Sequence, residues 1–207
     1  MALQTVWFPS RLPEKLVDLI EEDLNYNFGE DFMDSRLAGD SINRRKRNST
    51  NAWVDSNHWV CGVIWHYISC ANNYNFQFDL TSIDGNAVQY TKYNAGEYYG
   101  WHSDMWLEAM VAKENTNPDN LDGEMRDYLA PRAQNIRKLS CIIQLSDSSD
   151  YEGGNVQMMD DTEQSYFLPR ERGTVAVFDS RARHRVQKVT SGTRKSLVAW
   201  AVGPRWR

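Results

Sequence analysis

Short strand-like stretches separated by turn signals fill the chain from about residue 139 to residue 202. Residues 139–145 alternate as expected of a strand that buries one face. One face has Leu139, Cys141, Ile143 and Leu145, and the other has Ser140, Ile142 and Gln144. Turn-forming residues follow at 147–154 and 169–173. The stretches are residues 139–145, 156–158, 174–178, 184–186 and 196–202. Many short strands with regular turns are typical of a β-sandwich or barrel.

Two earlier stretches have helical periodicity instead. Pro13 suits the first turn of a helix, and apolar residues then recur at helical spacing through residues 12–24. A second apolar stripe covers residues 60–71, and Asp55 or Ser56 is suited to cap that helix. We predict two helices that pack on the outside of one sheet.

Strand-type alternation begins after the second helix. Phe76, Phe78 and Leu80 alternate with polar residues, and residues 84–86, Asp-Gly-Asn, form a hairpin signal. We therefore predict a β-hairpin whose return strand covers residues 87–93.

The 207 residues are long enough to bury a substantial core, and we predict a single domain. Residues 1–86 would be a support region of helices and loops, and residues 87–204 would be the β core. Residues 39–51 and the insertion 107–137 lack periodicity and are rich in Gly, Asn, Asp and Ser. Long segments of this kind are usually functional or mobile, so we expect both to border the site as lids.

Composition limits the function classes. The formal net charge is −5, which argues against a nucleic-acid partner. No run of eighteen apolar residues predicts a membrane span, and the N-terminal residues do not resemble a secretory signal. The three cysteines include no C-x-x-C pair, which argues against a disulfide framework or a cysteine-rich zinc site. We expect a cytoplasmic protein without a membrane partner.

Two candidate metal ligands, His102 and Asp104, lie one residue apart. On an extended strand such side chains point the same way. Of the other histidines, His58 and His66 lie on the predicted helix without a suitably placed carboxylate, whereas His184 lies on a second β-rich stretch. Two imidazoles and one carboxylate are the ligand set of non-haem Fe(II) oxygenases, although Zn(II) and Mn(II) also accept these ligands.

Arg194 follows His184 by ten residues. A guanidinium binds a carboxylate through two parallel hydrogen bonds. A dicarboxylate that chelates the metal at one end can therefore reach Arg194 with the other, and 2-oxoglutarate has that shape. These residues indicate an enzyme. The open alternative is a non-catalytic, cupin-like module that binds zinc or manganese, with Arg194 in a surface ion pair.

An ordered set of short motifs extends from about Gln89 to Pro204. The motifs are Tyr93–Gly96, Tyr99, His102–Asp104, Gln144–Asp147, Tyr151–Gly154, Gly173–Phe178, His184 and Gly192–Leu197. With this order and spacing, the chain resembles the prolyl 4-hydroxylase-type branch of the Fe(II)- and 2-oxoglutarate-dependent dioxygenases. The resemblance implies a mainly β (α+β) fold, a double-stranded β-helix or jelly roll with the N-terminal helices on one sheet.

The resemblance also implies the roles of individual residues. The three candidate metal ligands, His102, Asp104 and His184, would bind iron. Arg194 would bind the distal carboxylate of 2-oxoglutarate, and the hydroxyls of Tyr93 and Ser196 would assist it. Fe(II), 2-oxoglutarate and O2 are the implied cofactor and cosubstrates, and the need for ascorbate stays open.

Substrate residues are implied at Tyr99 and Trp200. The implied reaction is hydroxylation of a C–H bond, first of a peptidyl proline, with succinate and CO2 as coproducts. A free amino acid or small metabolite is the alternative substrate. A nucleic-acid demethylase would have a second arginine where Trp200 stands. Asn155-Val156 follows the Gly153-Gly154 turn where the family has Glu, so the resemblance assigns no pocket contact there. The oligomeric state is not indicated.

Overall fold

The computed structural model describes residues 5–35, 43–105 and 135–206. Helix α1 spans Glu14–Phe28, and α2 spans Trp59–Ala71 and continues into a π-helical turn at Asn72–Phe76. Both predicted helices are confirmed, and each buries one apolar stripe. Within the three described ranges, neither helix combines the length and apolar character that a membrane crossing would need.

Thirteen strands in the described ranges form two antiparallel sheets. The strands are β1 Thr5–Trp7, β2 Met33–Asp34, β3 Arg47–Asn48, β4 Thr50–Val54, β5 Ser82–Asn94, β6 Tyr98–His102, β7 Asn135–Gln144, β8 Tyr151–Gly153, β9 Val156–Met159, β10 Ser165–Phe167, β11 Val175–Asp179, β12 His184–Val186 and β13 Val189–Pro204. The larger sheet has the order β1-β11-β7-β13-β5-β4-β2, and β8 also pairs with β13. The smaller sheet has the order β10-β9-β12-β6-β3.

Two apolar clusters hold these layers together. The outer cluster lies between the helices and the larger sheet and includes Ile20 of α1, Ile64 of α2 and Leu197 of β13. The inner cluster lies between the sheets, where Ile142 of the larger sheet and Met158 of the smaller sheet are buried together. The sheets therefore face each other as a jelly roll with the helices on one outer face. The predicted fold class is confirmed.

Alternation along β13 decides what faces the space between the sheets. Leu197 belongs to the outer cluster, whereas Val198 packs against the inner one. Because side chains alternate with period 2 along a strand, Arg194, Ser196 and Trp200 share the inward direction of Val198. Arg194 and Ser196 thus place polar groups inside the sandwich beside the apolar inner cluster.

The first 86 residues supply strands as well as helices. Strands β1, β2 and β4 belong to the larger sheet, and β3 extends the smaller sheet beside β6. The predicted support region therefore contributes edges to both sheets, and one of these edges reaches the candidate site.

The predicted hairpin at residues 84–86 is wrong. Strand β5 continues through these residues, and its register with β13 shifts between Ile83 and Val88. Asp-Gly-Asn lies at a bulge in one long strand, where β5 has more residues than the paired segment of β13. The strand continues in the same direction through the bulge. The strand predicted for residues 76–80 is also wrong, because the π-helical turn extends to Phe76 and residues 77–80 are not in a strand.

Candidate active site

Three candidate metal ligands meet between the sheets. His102 ends β6, His184 begins β12, and the register places these two residues opposite each other. Asp104 follows β6 by two residues, and its backbone N–H donates to the Ser180 carbonyl at 2.9 Å. The ligand atoms of the three residues all lie within 4.8 Å of one another. Within residues 5–35, 43–105 and 135–206, this is the one such group of His, Cys, Asp or Glu.

Backbone carbonyls set the orientation of both imidazoles. His102 Nδ1 lies 2.8 Å from the Gly100 carbonyl, and His184 Nδ1 lies 3.0 Å from the Ala182 carbonyl. A carbonyl oxygen only accepts, so each Nδ1 carries a proton, and Nε2 is the atom that the neutral imidazole offers to a metal. Burial, and then the neighbouring His184, lowers the pKa of His102 well below its usual value. Neutral imidazoles of this tautomer are the form that binds a metal.

A pair of serine hydroxyls supports the carboxylate. Ser140 Oγ donates to Asp104 Oδ2 at 2.7 Å and lies 2.9 Å from Ser180 Oγ. Burial opposes the charge on Asp104, but His184, His102 and the Ser140 hydroxyl outweigh it and hold the pKa of the carboxyl below its usual range. Asp104 is thus an ionised carboxylate with one oxygen held by Ser140.

Arg194 is a buried cation on the inner face of the larger sheet. Arg194 is 1% exposed, and its Nη2 donates a hydrogen bond to Gln144 Oε1 at 2.8 Å. Tyr93 lies opposite it in β5, with the guanidinium carbon 5.6 Å from the ring centroid. No carboxylate in the described residues lies within ion-pair distance of Arg194. Within the described part of the chain, the charge therefore has no counterion of the kind that burial ordinarily requires.

Gly154 allows this arrangement. Its φ is +62°, and a Cβ there would lie 3.2 Å from Arg194 Cδ and 2.9 Å from Val189 Cγ2. Only glycine combines that backbone conformation with so close an approach. The turn predicted from Gly153-Gly154 thus packs directly against the arginine.

Several buried polar atoms on the same face have no hydrogen-bond partner. Ser196 of β13 and Thr91 of β5 lie opposite each other, and neither hydroxyl has a partner in the described residues. Arg194 Nε and Trp200 Nε1 are likewise buried and unpaired. Since buried polar groups are nearly always satisfied, these atoms are available to hydrogen-bond a polar ligand.

The two predicted substrate residues lie on opposite sides of this space. The Tyr99 ring stacks on the His102 imidazole, with centroids 3.5 Å apart and an interplanar angle of 15°. Trp200 lies opposite Ser140 in the larger sheet and has its ring centroid 6.3 Å from that of Trp53. The structure thus brings Tyr99 and Trp200 beside the metal ligands and their support.

Three residues at the site received no site role from the sequence. Ser140 and Gln144 are polar residues on the inward face of the otherwise apolar strand β7. Because a buried polar side chain needs a hydrogen-bond partner, these two residues could have been identified from the sequence as candidate site residues. Arg47 ends the basic run Arg44–Arg47 in the aperiodic segment 39–51, and such a run predicts a solvated or substrate-covering loop. It is instead 6% exposed and pairs with Tyr99 in the smaller sheet.

The remaining two histidines lie elsewhere, on or beside α2. His58 caps the helix in place of the predicted Asp55 or Ser56, and its Nε2 lies 2.9 Å from Asp23 Oδ2. His66 is on the helix and contacts Tyr67 edge-on. Neither belongs to the metal-ligand group of the described residues.

Both predicted lids fall partly outside the described residues. Residues 39–42 of the first lid and 107–134 of the second lie outside the described residues, so the lid prediction is not addressed for them. The described ends of both segments border the site. Arg47 lies against Tyr99, and the Arg137 guanidinium carbon is 3.7 Å from the Trp200 ring centroid.

Comparison with known proteins gives consistent matches. The family model described as 2OG-Fe(II) oxygenase superfamily matches residues 88–202. A PKHD-type hydroxylase of Picosynechococcus sp. is 31% identical over 130 residues, covering 62% of this chain and 48% of the relative. A PKHD-type hydroxylase of Colwellia psychrerythraea is 26% identical over 145 residues, covering 66% of this chain and 62% of the relative. The chain thus spans about half to three fifths of these relatives' lengths.

Solved structures with the same fold include two prolyl hydroxylases. A prolyl-4-hydroxylase of Pseudomonas putida has a TM-score of 0.67 at 16% identity, covering 98% of this chain and 93% of that one. A prolyl hydroxylase of Trichoplax adhaerens, in complex with a hypoxia inducible factor peptide fragment, has a TM-score of 0.68 at 16% identity, with coverage of 95% and 82%. At this identity the likeness establishes the fold alone.

Proposed function

The chain belongs to the 2OG-Fe(II) oxygenase superfamily, and we propose on this premise that it hydroxylates a C–H bond of a peptidyl proline. The family implies Fe(II), 2-oxoglutarate and O2. The PKHD-type hydroxylase relatives support hydroxylation, and the prolyl hydroxylases of the same fold support the choice of proline. We propose that the 207 residues act as one catalytic domain.

The observation that carries the proposal is the convergence of His102, Asp104 and His184. Two imidazole nitrogens and a carboxylate oxygen are the donor set of non-haem Fe(II) oxygenases, and the remaining coordination positions stay open for cosubstrate and O2. The hydrogen bonds of both Nδ1 atoms leave the Nε2 lone pairs for the metal. The residues therefore fit Fe(II), and we propose all three as its ligands.

The inner face of the larger sheet also fits 2-oxoglutarate. Arg194 is a buried cation whose described hydrogen-bond partner, Gln144, is neutral. The unpaired Arg194 Nε and the Ser196 and Thr91 hydroxyls supply donors for a carboxylate. We propose that Arg194 binds the distal carboxylate, with Ser196 and Tyr93 as further contacts.

When bound, Fe(II) with 2-oxoglutarate and O2 supplies an oxidant that replaces a C–H hydrogen by a hydroxyl, and 2-oxoglutarate leaves as succinate and CO2. The protein's part is positioning and exclusion of water. Ser140 holds one oxygen of Asp104 so that the carboxylate keeps one orientation. Tyr99 covers one face of His102, and we propose that Tyr99 and Trp200 hold the proline ring between them.

Mass spectrometry of proline-containing peptides tests the proposal. The purified protein is incubated with each peptide, Fe(II), 2-oxoglutarate and O2, with and without ascorbate, and succinate is measured in parallel. We expect a mass gain of one oxygen atom on proline and an equal amount of succinate. Asp104→Ala should lose both products, whereas Asp34→Ala, which removes an exposed carboxylate paired with Arg44, should keep both. Succinate production that survives in folded Asp104→Ala would refute the ligand assignment.

A further inference from the structure

Arg47 is a second buried arginine beside the candidate site. It lies on β3, at the edge of the smaller sheet, and is 6% exposed. Its Nε donates to Ser49 Oγ at 3.0 Å, and its Nη2 donates to Gln89 Oε1 at 3.1 Å. The guanidinium carbon is 4.7 Å from the centroid of the Tyr99 ring, which in turn stacks on His102. Arg47 therefore links the edge of the smaller sheet to the larger sheet next to a proposed iron ligand.

The partners of Arg47 in the described residues are all neutral. A guanidinium has five N–H donors, and two of them bind Ser49 and Gln89. Other arginines differ: Arg172 contacts three carboxylates of α1, and Arg44 pairs with Asp34. Burying a charge without a counterion is costly, so an anion that completes the shell of Arg47 would bind favourably.

The position of Arg47 separates it from Arg194. Gln89, which contacts Arg47, and Tyr93, which lies opposite Arg194, are four residues apart on β5. That separation corresponds to about 13 Å along a strand. Between them lie the unpaired hydroxyls of Thr91 and Ser196. Among the described residues, two buried arginines thus lie beside this space without a carboxylate partner: Arg194 at the end proposed for 2-oxoglutarate, and Arg47 at the end that Tyr99 and Trp53 border.

We propose that Arg47 binds a carboxylate of the substrate. This inference rests on the proposed function and narrows its substrate to prolyl compounds that carry a carboxylate near the ring. Two sources share this chemistry. One is the α-carboxylate of free proline, and the other is an acidic side chain next to proline in a peptide. In either case Arg47 would act as a specificity residue that anchors the substrate, with the ring placed toward Tyr99 and His102.

Binding of two matched probe pairs tests the inference. The first pair is L-proline and L-prolinamide, and the second is the end-capped peptides Ala-Pro-Glu-Ala and Ala-Pro-Gln-Ala. Each member of a pair differs from the other only by the carboxylate or its neutral amide. Dissociation constants are measured by calorimetry without O2, both with and without Fe(II) and 2-oxoglutarate. We expect the carboxylate member of one pair to bind roughly tenfold to a hundredfold more tightly, as a charge-assisted hydrogen bond provides.

Three variants assign that preference to Arg47. Arg47→Gln should abolish it, whereas Arg44→Gln, which removes an exposed arginine of the same segment, should keep it. Gln89→Glu leaves Arg47 in place but gives it an internal carboxylate, so this variant should also lose the preference. If Arg47→Gln does not fold, the Gln89→Glu variant tests whether the carboxylate preference depends on Arg47.

The outcomes separate the two proposals. The pair that shows the preference identifies the carboxylate source. Equal binding within both pairs, or a preference that persists in Arg47→Gln or Gln89→Glu, would overturn the role of Arg47 and leave hydroxylation untouched. A carboxylate preference in a protein that forms no succinate with any substrate would instead refute the proposed reaction and retain the anion site.

Discussion

The two faces of the larger sheet differ in what they do with polar groups. The outer face, under α1 and α2, is apolar and closed, with Tyr90, Ile143 and Leu197 fully buried in one cluster. The inner face buries Arg194, and the Thr91 hydroxyl there has no hydrogen-bond partner among the residues that the structure describes. One sheet thus separates a surface that stabilises the fold from a surface that keeps binding capacity. In native proteins, buried polar groups without hydrogen-bond partners are expected at functional sites.

Truncating the outer face should produce the largest effect on stability. Leu197→Ala removes a fully buried side chain from the outer cluster and should reduce the free energy of unfolding by about 2–5 kcal/mol. Urea denaturation measures this loss. The affinity of the folded variant for 2-oxoglutarate should stay within about twofold of wild type, since the substitution leaves the inner face unchanged. A large loss of affinity without loss of stability would remove the distinction between the faces.

Truncating the inner face should have the opposite signature. Arg194→Ala removes a charge-assisted contact worth about 1.5–3 kcal/mol, so 2-oxoglutarate affinity should fall by roughly tenfold to a hundredfold. Calorimetric titration measures this change, and Fe(II) affinity serves as the internal control. If Arg194→Ala weakened Fe(II) binding as much as 2-oxoglutarate binding, the arginine would be supporting the fold and not the cosubstrate.

The serine beneath Asp104 should act on the metal alone. Ser140→Ala leaves Asp104 Oδ2 without its hydroxyl donor, and loss of such an outer contact typically weakens metal binding by about 10–100-fold. Mn(II) binding followed by electron paramagnetic resonance provides the measurement. Ser180→Ala should have a smaller effect, because Ser180 Oγ contacts Ser140 Oγ and only its backbone contacts Asp104. Equal effects in both variants would mean that the pair only fills space.

The smallest effect should come from the ion pairs that fasten α1. Arg172 contacts Glu14, Asp18 and Glu21, of which the first two are largely exposed. Exposed pairs of this kind contribute about 1 kcal/mol or less each, so Arg172→Ala should lower the unfolding free energy only modestly. Thermal unfolding at low and high salt checks this. Arg172→Ala also controls for Arg194→Ala, since loss of this arginine should not alter 2-oxoglutarate affinity.

The sequence predicted the elements that depend on periodicity and spacing. The two apolar helix stripes and the strands around His102 and His184 follow from local patterns, and the motif order carried the family. Residues 84–86 show where local signals are insufficient. The sequence Asp-Gly-Asn suits both a hairpin turn and a bulge. The pairing of β5 with β13, which is distant in sequence, decides between the two.

The burial of Arg47 was also beyond local sequence reasoning. Its environment is made by Gln89 and Tyr99, which are more than forty residues away along the chain. A run of basic residues predicts a solvated loop, and only the assembled fold shows that its last member turns inward. The inward polar residues of β7, Ser140 and Gln144, are different, because alternation alone distinguishes them from their apolar neighbours.

Anaerobic Fe(II) titration of wild type, His184→Ala and His66→Ala tests the metal centre most directly. Both variants remove one imidazole, but His184 belongs to the group of three candidate metal ligands and His66 lies on α2. Calorimetry should give one Fe(II) per chain for wild type and His66→Ala, and no measurable binding for His184→Ala, with all three proteins folded by circular dichroism. Wild-type Fe(II) binding by folded His184→Ala would contradict the assignment of His102, Asp104 and His184 as the iron site.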